Sequence, residues 1–159
     1  MNRRVLLTSF STAAIAALLP TCASAKYHGQ DRDSALGKWF GSLLRPDRPP
    51  EVPLASCCGE GDAYEADDYK DMGDHYHVVI TDGSEKRFPD GSRRIPIPNG
   101  LAFDVPKDRP GQKGKVTPPQ DGNPTGHAQL FLSVRSPDPN EKYGRVIAVW
   151  CFVPLPPST

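Results

Sequence analysis

Three kinds of side chain in this sequence could do chemistry. They are the thiols of Cys57, Cys58 and Cys151, the imidazoles of His75, His77 and His127, and the carboxylates that crowd residues 60–74. The thiols come as an adjacent pair in "SCCGEGDAY" and a distant singleton in "VWCFVP". In an oxidising compartment such a set defaults to a disulfide. Joining either Cys57 or Cys58 to Cys151 closes a loop of about 90 residues, a constraint on the unfolded chain of the order of 4–5 kcal/mol. A bridge within the adjacent pair would be a strained ring, and strained disulfides are the labile or regulatory ones. Either way one thiol is left over.

A nucleophilic cysteine needs a lowered pKa and a nearby base. Cys58 and His127 are the candidate pair for a Cys-His hydrolase, with His127 placed by the "NPTG" turn at the opening of a strand. Two features oppose it. The acids from Glu60 onward raise the pKa of a neighbouring thiol, and nothing after Cys58 reads as the helix that carries the cysteine in papain-like peptidases. A thiol or metal site would draw on Cys57, Cys58 and His127, with His75 and His77 as further ligands because "HYH" sets them on one face of a strand. The "CC" pair lacks the C-x-x-C spacing of structural zinc sites. An EF-hand loop begun at Asp68 fails because Lys70 and Met72 fall where oxygen ligands are required. His127, Gln129 and Phe131 share a strand face and could line a shallow binding surface. The competing reading packs Phe131 beneath an N-terminal helix. No cofactor is expected, and a non-enzymatic reading is favoured.

These residues need elements to hold them. Residues 1–25 have two arginines, an apolar run and the small-residue "ASA" site of a cleaved secretory signal. Pro20 interrupts the run short of the ~20 residues that span a bilayer, so no membrane span is expected after cleavage. Sec and Tat export both remain open, since Arg3-Arg4 resembles a twin-arginine signal. Residues 26–54 hold a helix and a proline-rich linker. Leu36, Trp39, Phe40, Leu43 and Leu44 recur at helical spacing, with Asp33 or Ser34 to cap and Pro46 to stop.

Residues 55–154 read as a disulfide-tied β domain, followed by a tail over 155–159. "AYEADDY" is a first strand. "HYHVVIT" alternates, with Tyr76, Val78 and Ile80 to one side and His75, His77 and Val79 to the other. "RRIPIPNG" belongs at an edge, because its prolines cannot donate to a ladder. Residues 105–126, with five prolines and four glycines, read as a long surface loop. "HAQLFLSV" turns Ala128, Leu130, Leu132 and Val134 inward. "GRVIAVWCFVP" is apolar on both faces and reads as a central, doubly covered strand, with Cys151 on the face of Ile147, Val149 and Val153. The expected fold is mainly β: a small curved sheet or barrel of about five strands with one N-terminal helix.

Charge narrows the partners. Without residues 1–25 the chain has 17 basic and 19 acidic residues, a net charge of −2, which is no footprint for nucleic acid. The distribution is uneven. Residues 60–74 carry seven acids and one lysine, whereas 86–115 carry eight basic residues and three acids. Complementary surfaces within one domain are the expected outcome.

The motifs "WF" and "SL" in the early helix, "SCCGEGDAY", "IPIPNG", "NPTGHAQLFL" and "VWCFVP" together resemble a group of small exported proteins of alphaproteobacteria. The likeness runs over residues 39–154. It implies a bacterial protein, periplasmic or secreted, and the expected partner is an unknown cell-envelope ligand or protein. It brings no activity to any residue. The expected function is a structural or binding module of the envelope, with the thiol or metal site as the alternative and the Cys-His hydrolase behind it.

Overall fold

The computed structural model describes residues 33–48, 56–57, 61–89, 91–117 and 123–156. The proposed signal segment and Cys58 lie outside the described residues. The fold is mainly β with one helix, as expected. The helix, α1 (Ala35–Ser42), begins where Ser34 accepts a hydrogen bond from the Gly37 amide at 3.0 Å, satisfying one of the four amides that a helix start leaves unpaired. It ends where Leu43 turns extended. Trp39 and Leu43 are buried, while Leu44 is exposed.

The strands are β1 (Asp62–Glu65), β2 (Asp68–Asp71), β3 (His75–Val79), β4 (Lys86–Arg87), β5 (Arg93–Arg94), β6 (Ala102–Pro106), β7 (Gln129–Arg135) and β8 (Arg145–Val153). They form three antiparallel sheets, ordered β1-β7-β8, β2-β3-β6 and β4-β5, and none closes into a barrel. The first two sheets face each other over one core of Tyr64, Val78, Ile80, Val105, Leu130, Leu132 and Phe152. A second core lies on the other face of β7 and β8, where Trp39, Leu43 and Phe40 of the helical segment cover Phe131, Cys151 and Val153.

Several expectations need correction. "AYEADDY" is two strands, not one. The chain crosses between sheets at Ala66–Asp67, so that Tyr64 packs in one sheet and Tyr69 in the other. The described part of 105–126 is not a free loop, and residues 118–122 lie outside the described residues. Val105 is buried in β6 opposite Tyr76. Further on, Val116 pairs in parallel with Phe152 through hydrogen bonds of 2.8 Å on either side. Finally, the apolar run of β8 is an edge strand, and β7 is the centre. Double cover is real only at its C-terminal end, where residues 115–117 seal the outer edge. Upstream, Ile147 is 56% exposed.

The faces of β8 also depart from simple alternation. Phe131 pairs with Cys151 but Leu132 pairs with Val149, so Trp150 is an extra residue. Ile147 is a second, between the pairs Ser133–Ala148 and Val134–Val146. Each bulge shifts the facing by one residue. Val149 therefore packs in the inter-sheet core while Trp150 and Cys151 both turn to the helix side.

Candidate functional site

The cysteine question resolves first. Cys57 and Cys151 form a disulfide across 94 residues. Both are fully buried under α1. The surrounding backbone is organised around the bridge. The Cys57 amide donates to the Leu43 carbonyl at 3.0 Å, Ser56 pairs with Leu44, and the Thr117 hydroxyl donates to the Leu44 carbonyl at 3.1 Å. One covalent bond thus fastens the chain after α1 to the last strand, with the 115–117 segment alongside. Cys57 has no thiol to offer as nucleophile or ligand, so the Cys57, Cys58 and His127 set cannot be assembled as written.

His127 sits at the junction of the sheets. The turn before it is built by Asn123, whose side-chain oxygen accepts from the Thr125 amide at 2.9 Å and whose amide group donates to the His127 carbonyl at 3.0 Å. Gly126 takes a positive φ of 69° to complete the turn. The turn aims the ring at Asp67, in the crossing between β1 and β2. Asp67 Oδ2 accepts from His127 Nδ1 at 2.7 Å, and Oδ1 accepts from the Ala128 amide at 2.8 Å. Glu65 Oε2 lies 3.9 Å from the same ring nitrogen. The hydrogen bond to Asp67 is the main reason the His127 pKa is raised above its ordinary value. Desolvation opposes that shift, and the charge of Glu65 supports it.

From Glu65 a chain of charges continues inward. Lys86 Nζ lies 2.8 Å from Glu65 Oε1 and 2.9 Å from Asp82 Oδ2. Arg94, 2% exposed, reaches Asp82 Oδ2 at 3.2 Å. It also donates to the carbonyls of Ala63 at 2.9 Å and Ser84 at 2.8 Å, with its guanidinium 4.7 Å over the Tyr64 ring. Burial pushes the Asp82 pKa up. Hydrogen bonds from Ser84 and Lys86 and the charge of Arg94 outweigh it, so this carboxyl is held well below the ordinary range. This seam links two of the sheets and the crossing to the third: Glu65 on β1, Lys86 on β4, Arg94 on β5, and Asp67 just before β2. A His–carboxylate pair of this geometry can orient an imidazole for proton transfer. The contacts around it are carboxylates and backbone, and they read as a structural seam.

The proposed binding face does not survive intact. His127 is half-exposed, but Gln129 is 4% and Phe131 1% exposed. Phe131 meets Phe40 edge-on at 6.1 Å, so it packs under the helix and cannot line a surface. His75 and His77 lie elsewhere, on the solvent face of β3, and their partners are Asp74 and Asp104. No contact joins them to Cys57 or Cys151. The uneven charge is internal, as expected: Lys107 pairs with Asp71 and Arg109 with Asp74.

Sequence reading missed Asp67, Arg94 and Asp104. Asp104 carried no signal because its strand was hidden among prolines. Arg94 looked the same as its exposed neighbour Arg93. Comparison of the chain with protein-family models, with curated proteins and with solved structures finds no match.

Proposed function

We propose that this chain is an exported module of the bacterial cell envelope, structural or binding rather than catalytic, whose fold is locked by oxidation after transport. The observation that supports this most directly is the buried Cys57–Cys151 bridge, which ties the helical segment to the last strand. Such a bond persists in an oxidising compartment and is rare in a reducing one. No described helix is long and apolar enough to cross a membrane. The signal-like residues 1–25 and the likeness to small exported alphaproteobacterial proteins point the same way. The half-exposed His127 end of the seam and the open face of β3 are the polar surfaces such a module would present.

Expression of the full chain in a Gram-negative host tests this. Cells are fractionated and free thiols blocked before any reduction. The expected product is a periplasmic or secreted chain lacking residues 1–25, with Cys57 and Cys151 protected from alkylation. An uncut chain in the cytoplasm with both cysteines alkylated would refute the proposal.

A further inference from the structure

The face of the β2-β3-β6 sheet that points to solvent carries His75 and His77 on β3, and Asp104 directly opposite His77 on β6. Both imidazoles approach the same carboxylate oxygen. Asp104 Oδ1 lies 2.8 Å from His77 Nδ1 and 3.7 Å from His75 Nε2. We propose that His75, His77 and Asp104 form a binding site for a divalent transition-metal ion.

Two of the three donor separations lie near those a small ion needs. With metal–ligand bonds of about 2.0–2.1 Å in a tetrahedral arrangement, neighbouring donor atoms stand about 3.3 Å apart. The two observed separations fall on either side of that value, so shifts of about half an ångström in exposed side chains would admit the ion. Among the described residues no group of three His, Cys, Asp or Glu side chains is placed to hold a metal ion as it stands, this set included. Here the set is closed by the His77–Asp104 hydrogen bond, which the ion would replace.

A second observation concerns the far side of His75. Its Nδ1 lies 2.5 Å from Asp74 Oδ1, and Asp74 in turn pairs with Arg109. Metal-binding histidines are held in this way, with the non-ligating nitrogen on a carboxylate that fixes the tautomer and raises the basicity of the other. Here the nitrogen left over, Nε2, is the one that faces Asp104.

The donor chemistry selects the class of ion. Two imidazoles and one carboxylate suit zinc, copper(II) or nickel(II), whereas calcium and magnesium demand oxygen ligands. Three protein donors leave at least one position for water or for a donor from a partner. Two adverse charges lie beside the set: Lys70, opposite His77 on β2, which is exposed, and Arg109, which is held on Asp74 at the far side of His75. The site does not depend on export, so its test is separate from that of the envelope reading.

Tag-free, disulfide-intact protein is titrated with zinc chloride by calorimetry at neutral pH. The ring resonances of His75, His77 and His127 are followed by NMR. One ion per chain is expected, shifting His75 and His77 but not His127. His77→Ala and Asp104→Asn should each weaken binding by about tenfold or more, and Asp74→Asn by about 10- to 100-fold, while His127→Ala leaves it unchanged. Absence of binding would overturn the proposal. So would binding that survives the His75→Ala/His77→Ala double variant, or zinc-induced shifts confined to His127. The wild-type spectra decide the matter even where a variant folds poorly.

Discussion

Reducing the Cys57–Cys151 bridge should cost a large share of this protein's stability, and the size of the loss follows from the chain it closes. A separation of 94 residues corresponds to about 4.7 kcal/mol of loop-closure entropy removed from the unfolded state. A domain of this size has roughly 5–15 kcal/mol in total, so the bridge accounts for between about a third and nearly all of it. The assay is urea unfolding of oxidised protein against the same protein in excess dithiothreitol, in a Cys58→Ala background that prevents alternative pairing. Reduction keeps both sulfurs in the core, so the comparison avoids the cavity that alanine substitutions would add. The extrapolated stability should drop by about 4–5 kcal/mol. The urea slope should rise, because an unfolded chain without the cross-link exposes more surface. A loss below about 1 kcal/mol would refute the reasoning. It would mean that residual structure in the reduced, unfolded chain already keeps the two ends together.

Two further outcomes are expected. His127 has a pKa raised above its unfolded value by Asp67, so its stabilisation is fully present below about pH 6.5 and is lost as pH rises through the folded pKa. Because the ring is half-exposed, the His127→Gln deficit in thermal unfolding should be about 0.5–1 kcal/mol in that acidic window and shrink toward zero above it; a pH-independent deficit would contradict the pairing. Arg94→Met should destabilise by about 2 kcal/mol in denaturant unfolding, since it strips partners from Asp82 and from two part-buried carbonyls. Arg94→Lys should recover less than half of that, because an ammonium cannot span the same three acceptors.

The helix, its Ser34 cap, the alternation of β3 and the internal pairing of acidic and basic stretches were all legible in the sequence. Each depends on local periodicity or on charge runs that a single stretch displays. What escaped depends on contacts between distant segments. β6 was obscured because Pro106 and the prolines around it read as loop, yet Val105 belongs to the core through its pairing with Tyr76. The position of β8 at a sheet edge was hidden because an apolar run records burial, and here part of that burial comes from residues 115–117 and α1 rather than from a neighbouring strand. Nothing local distinguishes Cys57 from Cys58 as the partner of Cys151. For the sites, the shared face of His75 and His77 was readable from their spacing. The convergence on Asp104 was not, since it lies 27 residues from His77.

The two bulges in β8 amount to a pair of cancelling frameshifts in space. Phe152 faces the inter-sheet core, the first bulge moves that role to Val149, and the second returns it to Val146. Residues upstream of Ile147 are therefore back in phase with those downstream of Trp150. Deleting Trp150 or Ile147 alone would leave the pairs on either side of it consecutive and every other residue facing as before, and deleting both would give a plain alternating strand. Single-residue length changes in this strand are thus expected to be absorbed at the two bulges, which keeps Cys151 opposite Phe131 and under α1.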